Sequence, residues 1–491
     1  MNNGDICVSI CAETAEETLA KIRRAEEHAD IIEVRFDCLS PPEVAIAISN
    51  ISSSKPLIAT YRSAEQGGKS VISIEERRAF WSAIRGKDYE LADLEEDIFD
   101  SVQTDGKRIV SFHDHNAVPH DIDAIAARMC RSGADLIKIA VTARDIVDAI
   151  QVWKLRKDPR VIPIAMGAAG KWTRILSLAH GSYLTYASLD SASATAAGQL
   201  TASELTDRYR AKDLDLKTKV YGVVGDPIAN SRSPVLHNAA FAAADINAVF
   251  IPLEAKNIGT FIQRMVKPAT REVELNFAGF AITMPHKLSI MPHLDEVNEV
   301  AQAIGAVNTV KIDEGRLIGF NTDAHGFITP LKECFGSLEG ASAGVFGAGG
   351  AARACVYALK AVGAQVTVFA RHKQKASEFA EAFGVMTGTL ESATPSHFDI
   401  VINATPLGMN DGDRSLFGAE ELEGTKFVYD LVTRITDTPL INAAKQAGVP
   451  SVGGLEMLIA QAEMQFEIWT GARPVPGIMK AAIDSQLTSN E

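Results

Sequence analysis

The chain has 491 residues, 46% of them hydrophobic and 22% charged, which is ordinary for a globular protein and too long for a single core. Its 62 acidic against 48 basic residues give a formal charge of −14, which argues against nucleic acid or an anionic membrane as the main partner. The start, Met1–Asp5, lacks a basic n-region, and no stretch approaches the roughly 18 uncharged apolar residues of a spanning helix, so neither a signal peptide nor a membrane segment is expected. The six cysteines (7, 11, 38, 130, 334, 355) include no C-x-x-C pair. Buried free thiols, a reducing cytoplasmic setting and no metal site are expected.

From the N-terminus, eight β-branched runs alternate with amphipathic stretches: Ile6–Ile10, Ile31–Phe36, Leu57–Tyr61, Tyr89–Leu94, Arg108–Phe112, Leu136–Ala140, Val161–Ala165 and Tyr183–Ala187. Strands alternating with helices give a parallel sheet, and eight such units in roughly 210 residues predict a (β/α)8 barrel within an α/β protein. Side chains i and i+2 share a face of a strand. If Ile32, Val34 and Phe36 face the helices, Glu33 and Arg35 face the interior. Thr60 and Arg62, Asp93 and Glu95, Ser111 and His113, and Lys138 follow on the next four runs. So many buried charges are costly for stability alone, and they gather toward the strand ends where barrels carry their chemistry.

Lys138 is the candidate nucleophile. Apolar walls and nearby Arg35, Arg62 and Arg174 are expected to disfavour its charged form, and a neutral amine condenses with a ketone. The iminium acidifies the adjacent carbon, and His113 can remove that proton and then protonate a departing hydroxyl. The arginines can hold a carboxylate through bidentate pairs. A Schiff-base aldolase would look the same at this level.

The segments EVRFD (33–37), YRSAEQGG (61–68), SFHDH (111–115), LIKIA (136–140), the stretch ending at Arg174 and GQ (198–199) together resemble the type I 3-dehydroquinate dehydratase family, over about residues 5–205. The resemblance implies a Schiff base at Lys138, general acid/base work by His113, and substrate binding by Glu33, Arg35, Arg62, Arg174, Thr195 and Gln199. Three positions depart from the family: Gln66 stands where Glu is usual, Ala197 where Pro is, and Thr195 where Ser is. Either Glu65 supplies the missing carboxylate or His113 is tuned differently.

Glu204–Lys219 is rich in charge and has no strand pattern, and VYGVVGDP then opens a fresh strand, which puts a domain boundary near residue 215. Further on, 342–376 reads as strand, glycine turn, helix, strand. Gly347, Ala348, Gly349, Gly350 and Ala351 form a turn that lets backbone N–H groups and a helix N-terminus approach a pyrophosphate. At the end of the next strand an NAD enzyme would carry Asp or Glu. Here stand Arg371, His372, Lys373 and Lys375, which suit a 2′-phosphate and predict NADP(H).

DPIANSRSPVLHN (226–238), ITMPHK (282–287), GAVNT (305–309), GFNTDAHG (319–326), NATPLGM (403–409) and GLEMLIAQAE (454–463) resemble the shikimate dehydrogenase family, over about residues 218–485. That resemblance implies that Ser231 and Ser233 bind a carboxylate, and that Asn308 and Asp323 hold ring hydroxyls with Thr283 and Gln461 close by. Lys287 and Asp323 would form the catalytic dyad, and Asn403, Thr405 and Met409 would line the nicotinamide side. Thr433 stands where relatives carry Tyr. The expected domains are a barrel (1–215), a substrate lobe (216–330), a Rossmann NADP-binding domain (331–460) and a C-terminal helical segment returning to the substrate lobe (461–491). The resemblances imply consecutive steps of the shikimate pathway: 3-dehydroquinate is dehydrated to 3-dehydroshikimate, which NADPH reduces to shikimate. The partners are these small molecules, and the oligomeric state is left open. The alternative is a quinate-directed dehydrogenase with a weak or regulatory barrel, against which both Ser231 and Ser233 speak.

Overall fold

The computed structural model describes residues 4–434 and 436–488. The chain divides into two compact units, Met1–Ser231 with Asn247–Phe277, and Arg232–Ile246 with Ala278–Glu491.

In the first unit, eight parallel strands fall on the eight predicted runs: β1 (Asp5–Ile10), β2 (Ile31–Arg35), β3 (Leu57–Thr60), β4 (Leu91–Glu95), β5 (Lys107–Asp114), β6 (Leu136–Thr142), β7 (Val161–Met166) and β8 (Leu184–Ser188). Their order is β7-β6-β5-β4-β3-β2-β1-β8, so the barrel is nearly closed, with β7 and β8 as its ends. Side-chain bonds link the helix Lys171–Leu176, which follows β7, to β8. Arg174 donates to the Tyr186 carbonyl at 3.2 Å, and Thr185 Oγ1 donates to the Arg174 carbonyl at 3.1 Å. Local signals set the helices around the strands. Thr14 caps Ala15–Ala25, and Ser73 forms a capping box with Glu76 at the start of Ile74–Ala83.

The interior is layered. Cys7, Ile31, Ile58, Leu91, Ile109, Leu136, Ile162 and Leu184, one from each strand, belong to one buried apolar cluster. Two residues further along each strand come Ser9, Glu33, Thr60, Asp93, Ser111, Lys138, Ile164 and Tyr186. The period of two therefore stacks a mostly polar layer on an apolar floor.

The segment after the barrel is no solvated tether. Leu205, Tyr209, Ala211 and Leu214 are buried between its charges. β9 (Lys219–Gly225) then begins where a fresh strand is expected and pairs in parallel with β10 (Ala248–Glu254). The expectation of free thiols throughout is corrected at one pair, because Cys11 and Cys38 form a disulfide. They follow β1 and β2, and the pairing of those strands leaves their Cα atoms 5.4 Å apart, a proximity that a sequence separation of 27 conceals. Cys7 and Cys355 are buried free thiols, whereas Cys334 is exposed.

In the second unit, β13 (Thr309–Asp313) runs antiparallel to both β11 (Phe277–Ile282) and β14 (Arg316–Phe320), and β12 (Glu296–Val297) lies parallel to β14. A parallel sheet follows, built from β15 (Ser342–Phe346), β16 (Gln365–Phe369), β17 (Met386–Gly388), β18 (Ile400–Asn403), β19 (Phe427–Asp430) and β20 (Ser451–Val452). Its order, β17-β16-β15-β18-β19-β20, reverses between β15 and β18, the switch point at which doubly wound sheets bind nucleotides. The helix Asp323–Phe335 packs on this sheet through Phe327, whose ring stacks on Tyr429 at 5.1 Å. No described helix is long and apolar enough to cross a membrane.

Candidate active sites

All eight barrel residues singled out from the sequence (Glu33, Arg35, Arg62, His113, Lys138, Arg174, Thr195 and Gln199) line one cavity. Lys138 Nζ donates to Glu33 Oε1 at 3.2 Å and to Asp93 Oδ2 at 3.1 Å. Two carboxylates thus accept from the amine, which the expected apolar and cationic surroundings left out. Thr60 and Ser9 fix Glu33 through bonds of 3.0 and 2.5 Å. Arg62 pairs with Asp93 at 2.9 Å and donates to Ser111 Oγ at 2.6 Å. Burial alone would raise the Asp93 carboxyl, but Arg62 and Lys138 hold it below the usual carboxylate range. Arg35 is oriented by a two-pronged pair with Asp37, at 2.8 and 2.7 Å. Arg174 Nε is buried with no partner, and burial pulls this guanidinium down to about 10. A carboxylate-bearing ligand would satisfy both the charge and the orphaned donor.

His113 is held by Gln66. The amide Oε1 accepts from the His113 backbone N at 3.0 Å and lies 3.2 Å from Nδ1. An amide oxygen only accepts, so Nδ1 carries the proton and Nε2 keeps its lone pair for a substrate proton. Glu65 is exposed, so Gln66, and not its neighbour, occupies the position that orients the histidine. Burial, reinforced by Arg62, Lys138 and Arg35, pushes the imidazole well below its usual range. It therefore rests neutral, as a base must. Gln66→Glu adds a negative charge against Nδ1 and favours the imidazolium. The acidic limb of the dehydratase pH profile, where His113 protonates and activity falls, should move to higher pH by about 1–3 units. A kcat/KM profile measured across that limb checks this, and an unmoved limb would show that Gln66 does not tune His113.

Thr195 and Gln199 sit in the loop after β8, where the backbone N and Oγ1 of Thr195 bond to Gln199 Oε1 at 2.8 and 3.1 Å. Ala197 accepts from the Gly167 backbone N at 2.9 Å, which anchors this loop beside β7. The i, i+2 rule also reaches Ser9 and Tyr186, on the first and last strands of the barrel. Asp37 escaped it because the strand has already ended there. His115 is exposed yet lines the cavity, with its ring 6.4 Å from that of His113.

In the second unit, Lys287 is ion-paired to Asp323 Oδ2. Asp323 is the first residue of the helix Asp323–Phe335, where an anion is favoured. Asn308 Nδ2 donates to Asp323 Oδ1 at 2.8 Å and to Gln461 Oε1 at 3.3 Å. Thr309 Oγ1 and the Thr322 backbone N, both at 2.8 Å, hold the other end of that amide. Thr283 follows β11, four residues before Lys287. Ser231 ends a segment of the first unit, and Ser233 opens the helix Ser233–Ala243 in the second.

The glycine turn leaves β15 at Gly347, whose φ of +128° suits glycine and where a Cβ would meet the Ala404 carbonyl at 2.5 Å. The helix Gly350–Ala361 starts there, and a Cβ on Gly350 would lie 3.2 Å from the Lys287 side chain. The start of this helix therefore abuts the dyad. Arg371, His372 and Lys375 are exposed just past β16, and the side chain of Lys373 lies outside the described residues. The Asn403 amide bonds to Asp430, Leu407 and Thr405, so it braces the loop carrying Thr405 and Met409. Thr433 donates to the Gly454 carbonyl at 3.5 Å.

An amine and an imidazole inside a parallel barrel are the groups of a lyase. A lysine–aspartate dyad beside a nucleotide turn defines a dinucleotide-dependent dehydrogenase. The family description "Type I 3-dehydroquinase" matches residues 6–215, "Shikimate dehydrogenase substrate binding domain" matches 223–310, and "Shikimate 5'-dehydrogenase C-terminal domain" matches 454–483. The chain is 33% identical to the chloroplastic bifunctional 3-dehydroquinate dehydratase/shikimate dehydrogenase of Arabidopsis thaliana, over 96% of this chain and 82% of that protein. It is 39% identical to the NADP(+) shikimate dehydrogenase of Citrifermentans bemidjiense, over 56% of this chain and 97% of that one. The shikimate dehydrogenase structure from Aquifex aeolicus superposes with a TM-score of 0.51 at 33% identity, covering 55% of this chain and 99% of that one. The chain belongs to the bifunctional 3-dehydroquinate dehydratase/shikimate dehydrogenase family. It is a lyase and an NADP-dependent oxidoreductase of the shikimate pathway.

Proposed function

We propose that Lys138 condenses with the ketone of 3-dehydroquinate and that His113 Nε2 takes the proton from the adjacent carbon and returns it to the departing hydroxyl. Arg35, Arg62 and Arg174 hold the substrate, with Glu33, Thr195 and Gln199 on its ring hydroxyls. The observation that carries this reading is the convergence of amine, imidazole and guanidinium groups on one cavity.

In the second half, Lys287 supplies the proton to the ketone oxygen of 3-dehydroshikimate. Asp323 aims that lysine through their ion pair, and Asn308, itself bonded to Gln461, fixes the aspartate. Ser233 and Thr283 complete the substrate contacts in this unit. NADPH, when bound, supplies the hydride. The residues present fit it: Gly347, Ala348, Gly349, Gly350 and Ala351 offer N–H groups to its pyrophosphate, and Asn403, Thr405 and Met409 shape its nicotinamide end. Arg371, His372 and Lys375 are the bases for its 2′-phosphate, with Lys373 beside them in the sequence. Losing one charge-assisted bond of about 1.5–3 kcal/mol predicts that Arg371→Ala raises KM for NADPH about ten- to hundredfold while KM for NADH holds. Steady-state kinetics with both cofactors measure this, and equal changes in the two would remove Arg371 from the site.

Residues 1–215 form the dehydratase, 216–330 the substrate lobe, 331–460 the nucleotide domain and 461–491 the returning helical segment. The four free cysteines favour a cytoplasmic site of action, and the Cys11–Cys38 disulfide speaks for a more oxidising one. Alkylation of thiols before cell lysis decides between them. Separate assays test the assignment itself: 3-dehydroquinate alone should yield 3-dehydroshikimate, and shikimate with NADP+ should yield NADPH. Oxidation of quinate in preference to shikimate would favour the quinate-directed alternative.

A further inference from the structure

Tyr186 touches the reacting nitrogen. Its ring centroid lies 3.9 Å from Lys138 Nζ, and the side chain is buried beside the cavity. Two observations fix its attitude. The Tyr186 carbonyl accepts from Arg174, and the ring packs with Cys7, Ile164 and Met166 in the cluster that floors the barrel. The hydroxyl is buried with no hydrogen-bond partner among the described residues, and it is the face of the ring that meets the amine.

A lysine ammonium has three N–H donors. Here two go to Glu33 and Asp93, and the ring face takes the remaining side of the charge. Condensation changes the donors but not the charge. One ammonium proton passes to a base, and the free amine attacks the ketone carbon. The carbinolamine hydroxyl then departs as water, taking one returned proton, while the nitrogen lone pair closes the C=N bond. Ammonium and ketone have become iminium and water, with one positive charge before and after. The iminium nitrogen keeps a single N–H and can no longer donate to both carboxylates. An aromatic face needs no N–H, because its quadrupole responds to the charge itself.

We propose that the ring of Tyr186 is the seat of the cationic imine nitrogen, favouring the iminium over the neutral carbinolamine in the dehydratase half. This rests on Lys138 as the nucleophile. The test replaces Tyr186 with phenylalanine and then with 4-fluoro-, 3,5-difluoro- and 3,4,5-trifluorophenylalanine, which keep the ring's shape and drain its face of negative potential. Two quantities are measured on the full chain: dehydratase kcat, and the fraction of protein reduced by borohydride during turnover, read as a mass gain. Tyr186→Phe is the reference for the series, since it keeps the ring face and removes only the hydroxyl. Each added fluorine should lower both quantities in step, by about 2- to 30-fold across the series, with dehydrogenase activity constant as the folding check. Values that do not move with fluorine number, or an equal loss in every variant including Tyr186→Phe, would overturn the proposal. Absence of borohydride trapping in the wild type would instead refute Lys138 as nucleophile, so the two failures are distinguishable.

Discussion

Lys138→Ala should abolish dehydration of 3-dehydroquinate and leave shikimate oxidation by the same chain unchanged. Among the described residues lining that cavity, the amine is the only side-chain nitrogen able to form an imine, and loss of a nucleophile acts on a scale of about 10⁴-fold or more. The substitution also strips a cation from two buried carboxylates, Glu33 and Asp93. Breaking a buried pair costs about 3–5 kcal/mol, so a lower barrel melting temperature should accompany the lost activity. Lys138→Arg separates these effects. It keeps a positive charge between the carboxylates but cannot condense with a ketone, so it should restore stability without restoring activity. Thermal unfolding and product formation, measured on both variants, check this. An active Lys138→Arg would refute the imine route.

The second large effect lies in the other half. Lys287→Met removes the proton donor for the ketone oxygen, and Asp323→Asn removes the charge that holds it. Each should lower dehydrogenase kcat by about 10²–10⁴-fold. The two act as one unit, so the double variant should be little worse than either single one. Dehydration of 3-dehydroquinate by these variants should match the wild type. Additive losses would mean that the lysine and the aspartate work independently.

The barrel and its charged layer were legible because a period of two is a strict geometric rule. Once Glu33 points inward, Thr60, Asp93, Ser111 and Lys138 follow on neighbouring strands, and their hydrogen bonds bear this out. The rule could not give the sign of the field at the amine. Arg35 and Arg62 were read as its neighbours, but Asp37 turns Arg35 toward itself and Asp93 stands between Arg62 and Lys138. That depends on side-chain reach, which spacing along the chain does not encode. The Cys11–Cys38 pair was invisible for a related reason, since strand register, not sequence distance, brings those residues together. The glycine turn was legible because Gly347 must take a positive φ against Ala404. The bracing bonds of Asn403 were not, since they join β18 to a residue on β19.

The most direct test supplies the purified chain with 3-dehydroquinate and NADPH and follows NADPH consumption. Both activities on one chain predict steady consumption, abolished by Lys138→Ala or by Lys287→Met and restored in the first variant alone by added 3-dehydroshikimate. NADPH that persists with the wild-type chain, whether 3-dehydroquinate or 3-dehydroshikimate is supplied, would contradict the account.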